Sequence, residues 1–274
     1  MSKTDLQNII RVDILVKKGQ EELLTDQIYQ FINKGVWLEE QGNAVLIKCY
    51  PEEPESFIQQ VRVSGLKITG ITTTQEKLQD YSELTRRYFR PITIGNLTIR
   101  APWNKKKPIN RQIVIEPGMA FGTGRHESTK IMIKIMDSVE FSGKKVLDIG
   151  CGSGILSLNA HLLGARRIYA VDNDMDATIN AKKNVFLNQA NTINVVCANL
   201  EDIKGTYDIV LANIDIKTFA EHSERIVALV KEDGLLIISG ILRKNRDQLL
   251  HLFHDWKLLK SHRIHSWMGF LLSR

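Results

Sequence analysis

Two glycine-rich stretches carry the residues most suited to chemistry. The sharper is "VLDIGCGSGILSL", in which Gly150, Gly152 and Gly154 alternate behind a short apolar run. Glycines there let a strand turn sharply into a helix, so that the backbone can approach a ligand at the strand's carboxyl end. The next apolar run, "RRIYAVD", ends in Asp172, 22 residues after Gly150. An acid at that distance can accept both hydroxyls of a ribose. Dinucleotide sites require G-x-G-x-x-G, because the third glycine packs the helix that faces pyrophosphate. Counted from Gly150, that third position is Ile155. The alternate spacing instead suits a nucleoside donor without phosphate, S-adenosylmethionine. Gly150, Asp172 and, at lesser weight, Gly152 are the expected cofactor contacts on this side.

A further run, "YDIVLANID", ends in Asn213 and Asp215. Asn213 is expected at the rim of the same cleft, near the donor's methionine end. An amide there can hydrogen-bond the donor or an incoming nitrogen without adding charge, which makes it the candidate positioning residue for catalysis as well as a cofactor contact. Asp215 directly precedes a helical pattern and reads as an N-cap, with an acceptor-facing role as the alternative. The other glycine segment, "EPGMAFGTGRHEST" (Glu116 to Thr129), lacks the G-K-[ST] ending of a phosphate loop. It is expected to fold over the donor: Phe121, Gly122, Thr123 and Gly124 would cover it and Thr129 would bond or cap from the start of the following helix. His126 reads as a structural histidine. No metal ligand set is expected.

These residues need a scaffold. From about residue 125 onward, helical and strand patterns alternate: "HESTKIMIKIMDSV", "KKVLDIG", "ILSLNAHLLG", "RRIYAVD", "MDATINAKKNVFLNQ", "INVVCA", "YDIVLAN", "IKTFAEHSERIVALV" and "GLLIISGI". "RKNRDQLLHLFH", "WKLLKSHR" and "WMGFLLS" follow. Such alternation predicts a doubly wound α/β sheet, a Rossmann-like class I methyltransferase domain. "ITIGNLTIRAPW" before it reads as two short strands about a Gly-Asn turn. Residues 1–80 read as βαββαβ, a small ferredoxin-like α+β domain: strand "IIRVDILV", helix "GQEELLTDQIYQFINKG", a hairpin about "QGN", helix "PEEPESFIQQVRV" and strand "LKITGITTTQ". Residues 81–91 form a linker helix and 92–274 the catalytic domain.

The chain has 274 residues, 43% hydrophobic and 25% charged, with three scattered cysteines and no CxxC pair. Neither a zinc site nor a disulfide framework is indicated. The longest apolar run is too short to span a bilayer, and "MSKTDLQNII" lacks the apolar core of a secretory signal. A cytoplasmic protein, monomeric and away from membranes, is expected. Residues 1–90 carry 12 Lys/Arg against 13 Asp/Glu, leaving 25 against 18 for residues 91–274. The basic half allows a weak contact with ribosomal RNA; solvated surface charge is the plainer reading.

"EPGMAFGTGRHEST", "VLDIGCGSGILSLNAHLLGA", "VDNDMDA", "YDIVLANI" and "GLLIISGIL" together resemble the bacterial ribosomal protein L-eleven methyltransferase family, PrmA. "FRPITIGNLTIRAPW" and "SWMGFLL" resemble that family's segments before the catalytic domain and at its final strand. The resemblance is close from about Tyr88 onward and loose over residues 1–80. It implies a protein N-methyltransferase that uses S-adenosylmethionine on amines of ribosomal protein L-eleven, lysine side chains or the N-terminal α-amine, free or on the ribosome. It also implies that the small domain recognises the substrate. The family's donor-binding positions fall on Thr129, Gly150, Asp172, Asn213 and the Phe121–Gly124 loop. Two positions depart from the pattern: Asp215 stands where leucine usually follows, and Ser128 replaces a threonine. Two other readings remain: a methyltransferase acting on another protein, RNA or a small amine, and a non-catalytic donor-binding module.

Overall fold

A computed structural model describes residues 8–19, 36–51, 53–63, 67–77, 90–105, 111–116 and 124–274. The chain divides into two compact units, Met1–Tyr88 and Phe89–Arg274. The expected helix before residue 36, the linker helix and the Phe121–Thr123 part of the glycine loop lie outside the described residues.

In the first unit, β1 (Asn8–Lys17), β2 (Val36–Gln41), β3 (Ala44–Cys49) and β4 (Ile68–Lys77) form one antiparallel sheet in the order β2-β3-β1-β4. That order is the ferredoxin-like one. Alternation along β1 and β3 buries Val12, Ile14, Val16, Val45 and Ile47 on one face, as the period of two requires. Helix α1 (Pro54–Val63) presses Phe57 and Val61 onto it. Pro54 opens the helix where its missing N–H costs nothing.

The second unit begins with a small sheet of β5 (Ile92–Ile94), β6 (Leu97–Arg100) and β7 (Arg111–Val114). Gly95 takes the left-handed turn (φ 54°) between the first two, and β7 is a strand that the sequence pattern did not announce. The main sheet contains β8 (Lys145–Ile149), β9 (Arg167–Asp172), β10 (Ile193–Cys197), β11 (Tyr207–Asn213), β12 (Val230–Leu242), β13 (Lys257–Ile264) and β14 (Trp267–Ser273). Their order is β10-β9-β8-β11-β12-β14-β13. The first five are parallel, and β14 pairs antiparallel with both neighbours. The helices are α2 (Glu127–Met136), α3 (Ile155–Leu162), α4 (Met175–Leu187), α5 (Ile216–Leu229) and α6 (Arg246–Leu252). β12 starts at Val230, earlier than "GLLIISGI" indicated, because its ladder with β11 begins at Tyr207 and then skips residues before Leu235.

The sheet is buried on both faces by two apolar clusters, one around Ile131, Ile155 and Ile237 and the other around Phe219, Val210 and Phe270. Its central strands are therefore nearly continuous apolar runs. The strand order reverses direction between β8 and β11, so a crevice opens at the carboxyl ends of these strands. No helix among the described residues is long and apolar enough to cross a membrane.

Candidate functional site

β8 leads into Gly150, Gly152 and Gly154, all left-handed with φ of 65°, 52° and 78°. Left-handed backbone strains any residue with a Cβ. Space is short as well: a Cβ on Gly150 would lie 2.9 Å from Ile214 Cγ2, and one on Gly154 3.3 Å from Ala181 Cβ. The turn thus passes close to the loop after β11 on one side and to α4 on the other.

Asp172 ends β9. Its Oδ2 accepts from the Gly152 amide at 2.9 Å and its Oδ1 from the Asp174 amide at 3.0 Å. The carboxylate fixes the turn, and each oxygen keeps a lone pair for a further donor. The Gly152 N–H is spent on this bond, so Gly152 contributes shape to the site rather than a donor.

Asn213 ends β11. Its Nδ2 faces Thr129 Oγ1 at 3.5 Å, the long limit of a hydrogen bond. Its Oδ1 is buried and has no hydrogen-bond partner among the described residues. Buried amide oxygens are rarely left so; this one is a ready acceptor for an N–H. The Asn213–Thr129 contact joins positions 84 residues apart. Thr129 does not cap its helix. The cap of α2 is His126, whose Nδ1 accepts from the Ser128 amide at 3.3 Å and meets Ser128 Oγ at 2.7 Å. Burial lowers the pKa of His126 to about 4, and its ring stacks edge-on against Trp267 at 4.5 Å. It is a neutral structural group.

Asp215 caps α5, accepting from the amides of Lys217 and Thr218 at 2.9 and 3.0 Å and from Thr218 Oγ1 at 2.7 Å. Burial would raise its pKa, but the bonds from Thr218 and Lys217 outweigh it and hold the carboxyl below its ordinary value. Both oxygens are engaged in capping. Gly124, the one described member of its loop, has φ 80° and sits against Ile99, Ile155 and Ile92.

Asp148 lies beneath the floor and was not singled out by its sequence position. It is 1% exposed, and its Oδ2 accepts from Ser157 Oγ at 2.6 Å and the Ser157 amide at 3.0 Å. Burial pushes its pKa up to about 7 against those bonds. Cys151, in the glycine turn, is a buried thiol whose pKa burial raises further, so it is no nucleophile. Two cavities of about 470 and 540 Å³ lie instead at the amino ends of the strands, lined by residues such as Lys144 and Asp208, and Arg166 and Asn194. Neither touches the residues above.

The arrangement offers a nucleoside donor a carboxylate for ribose, a glycine floor, and an unspent amide oxygen at the far end. The model of the ribosomal protein L11 methyltransferase (PrmA) family matches residues 8–274. The chain belongs to this family. The family member from Acetivibrio thermocellus is 39% identical over 231 residues, covering 78% of this chain and 73% of that protein. The one from Clostridium perfringens is 33% identical over 229 residues, with the same coverage. A crystal structure of the ribosomal protein L11 methylase from Lactobacillus delbrueckii subsp. bulgaricus has a TM-score of 0.64 at 27% identity, covering 68% of this chain and 99% of that one. The fold is that of class I S-adenosylmethionine-dependent methyltransferases, and S-adenosylmethionine is the cofactor this family membership carries.

Proposed function

We propose that the protein transfers methyl groups from S-adenosylmethionine to amines of ribosomal protein L11, lysine side chains or the N-terminal α-amine. The observation that carries the chemistry is the buried Oδ1 of Asn213 beside the glycine floor, unpartnered among the described residues; family membership supplies the substrate. Asp172 would take the ribose hydroxyls, Gly150 and its turn would lie along the donor, and Thr129 and Asn213 would hold its methionine end. Phe121, Gly122, Thr123 and Gly124 would cover it. When bound, the donor supplies an electrophilic methyl on a sulfonium.

The acceptor amine must be neutral to attack. Removing a proton from lysine at pH 7 costs roughly 4–5 kcal/mol, against about 1 for an α-amine. Neither nearby carboxyl is suited to that proton: Asp215 is engaged in capping and Asp148 is sealed beneath the floor. Desolvation of the amine and its alignment by Asn213 Oδ1 are the contributions this chain can make, with the proton leaving to water. Residues 1–80 would recognise the substrate protein and residues 92–274 would carry the reaction, in a cytoplasmic monomer acting on L11 free or on the ribosome.

Mass spectrometry of ribosomal proteins from cells with and without the gene tests the assignment: L11 should lose mass in steps of a methyl group. An unchanged L11 mass would remove the substrate and leave the donor site standing. The excess of 25 Lys/Arg over 18 Asp/Glu in residues 91–274 favours one second reading, methylation of RNA. Labelled donor offered with ribosomal RNA and with ribosomal proteins separates the two.

A further inference from the structure

Asn184 stands on α4, is 0% exposed, and takes no part in the reaction outlined above. Its carboxamide is nonetheless fully used, and by two segments far apart in sequence. Nδ2 donates to the Ser153 carbonyl, within the glycine turn, at 2.9 Å, and also to Asn180 Oδ1 at 3.1 Å. Oδ1 accepts from the Glu116 amide at 2.9 Å. Glu116 is the first residue of the other glycine segment. One turn on, Asn188 grips the same chain slightly earlier, exchanging two bonds with the Val114 backbone at 2.8 and 2.6 Å. Among the described residues Asn188 makes no bond to the glycine turn; its remaining side-chain bond is to the Asn184 carbonyl.

The far flank of that segment meets the same place. Gly124 is buried with φ 80°, and a Cβ there would lie 2.5 Å from Ile99 Cδ1 and 3.1 Å from Ile155 Cδ1. Ile155 is the first residue of α3, directly after the turn. Glu116 is therefore tied to residue 153 through Asn184, and Gly124 packs against residue 155. Ala181, one turn before Asn184, supplies the surface on which Gly154 rests.

We infer that Asn184 is a positioning residue of the donor site, its carboxamide locking the start of the Glu116 segment to the glycine floor at Ser153. The inference rests on the donor-site reading above. A single buried amide that donates to one loop and accepts from the other makes their spacing a fixed quantity, because either bond broken leaves a buried polar group unsatisfied.

The test is calorimetric titration of the full chain with S-adenosylhomocysteine, which binds without reacting. Asn184→Asp keeps the size and the acceptor for Glu116 but sets an oxygen against the Ser153 carbonyl. It should raise Kd about tenfold or more, with kcat at saturating donor within about threefold and the loss appearing in the donor KM. Asn188→Ala releases Val114 and the side-chain bond to the Asn184 carbonyl but leaves Glu116 and Ser153 joined; it should change Kd less than about threefold at a comparable loss of thermal stability. Asn184→Ser serves if the aspartate variant does not fold. Hydrogen exchange on the wild type needs no variant: donor binding should slow exchange at both Gly152 and Glu116. Equal losses in Asn184 and Asn188 variants, or protection at Gly152 without Glu116, would overturn the inference. A wild type that binds no donor would instead overturn the donor site itself.

Discussion

The two ends of the main sheet treat polar groups differently. At the amino ends, Lys145 Nζ donates to the Thr206 carbonyl at 3.0 Å and lies 4.2 Å above the Tyr207 ring. The Lys145 amide donates to Asp208 Oδ2 at 2.7 Å, and Lys231 pairs with Asp208 Oδ1 at 2.6 Å. At the carboxyl ends, Asn213 Oδ1 and Asp148 Oδ1 are buried without partners among the described residues, and three consecutive alternate glycines are left-handed. A protein shaped for stability alone would satisfy these atoms and relax this turn. The first end holds the sheet together, and the second keeps capacity for something not of its own chain.

The contrast can be broken in four places. The largest effect is expected at Asn213. Asn213→Ala should lower kcat about 10²–10³-fold, by analogy with loss of one preorganised polar group in an active site. Donor Kd from calorimetry should move much less, and comparable losses in both would deny Asn213 its acceptor-side role.

Next comes Asp148. Its folded pKa of about 7 exceeds the ordinary 3.8, so the folded state keeps a proton that the unfolded chain releases. The associated stability is present below pH 3.8 and is lost as pH rises through 7. His126 runs the other way. Its pKa falls from 6.5 to about 4, so its stability is present above pH 6.5 and is lost as pH falls toward 4. Asp148→Asn removes only the first trend. The variant's unfolding free energy relative to wild type should therefore climb between pH 4 and 7, by an amount of order 2–4 kcal/mol. A difference flat across that range would mean that Asp148 is ionised despite its burial.

Asp172→Asn removes the charge and one of the two acceptors that hold the Gly152 and Asp174 amides, so it weakens the ribose contact and loosens the floor together. Donor Kd should rise about 10–100-fold, the value of charge-assisted hydrogen bonds, with kcat at saturating donor little changed. The smallest effect belongs to the other end of the sheet. Lys231→Gln removes a half-exposed ion pair and should cost less than about 1 kcal/mol in thermal unfolding, without altering donor affinity. A donor Kd shifted more than a few-fold there would erase the distinction between the two ends.

Much of this was legible in the sequence, for physical reasons that also explain the gaps. The glycine turn announces itself because left-handed backbone at 150, 152 and 154, with a close neighbour at 150 and 154, favours glycine there. Asp172 and Asn213 follow from strand endings, since apolar runs in a parallel sheet stop where the crevice begins. Three features left no such mark. β7 is only four residues long, "RQIV", and its partner β6 is parallel and lies across a long connection. Asn184 lies in "NAKKNVFLNQ", where an asparagine on a helix reads as solvated; only the tertiary bonds to Ser153 and Glu116 reveal it as buried. The capping of α2 by His126 rather than Thr129 was hidden because histidine is an uncommon cap. The Phe121–Thr123 contacts stay with the sequence argument alone.

β14 enters the main sheet between β12 and β13 although it follows both in the chain. During folding, the edge of β12 must therefore stay unpaired past the making of β13, exposing the backbone beside Ile237 and Ile238 until Leu271 and Phe270 arrive. An apolar edge left open invites pairing with another chain. The β13–β14 hairpin is expected to close first and dock as a unit, which shortens that exposure. Variants that loosen the turn at His265 and Ser266, between Ile264 and Trp267, should show their damage as aggregation during refolding while leaving the finished protein's donor affinity intact.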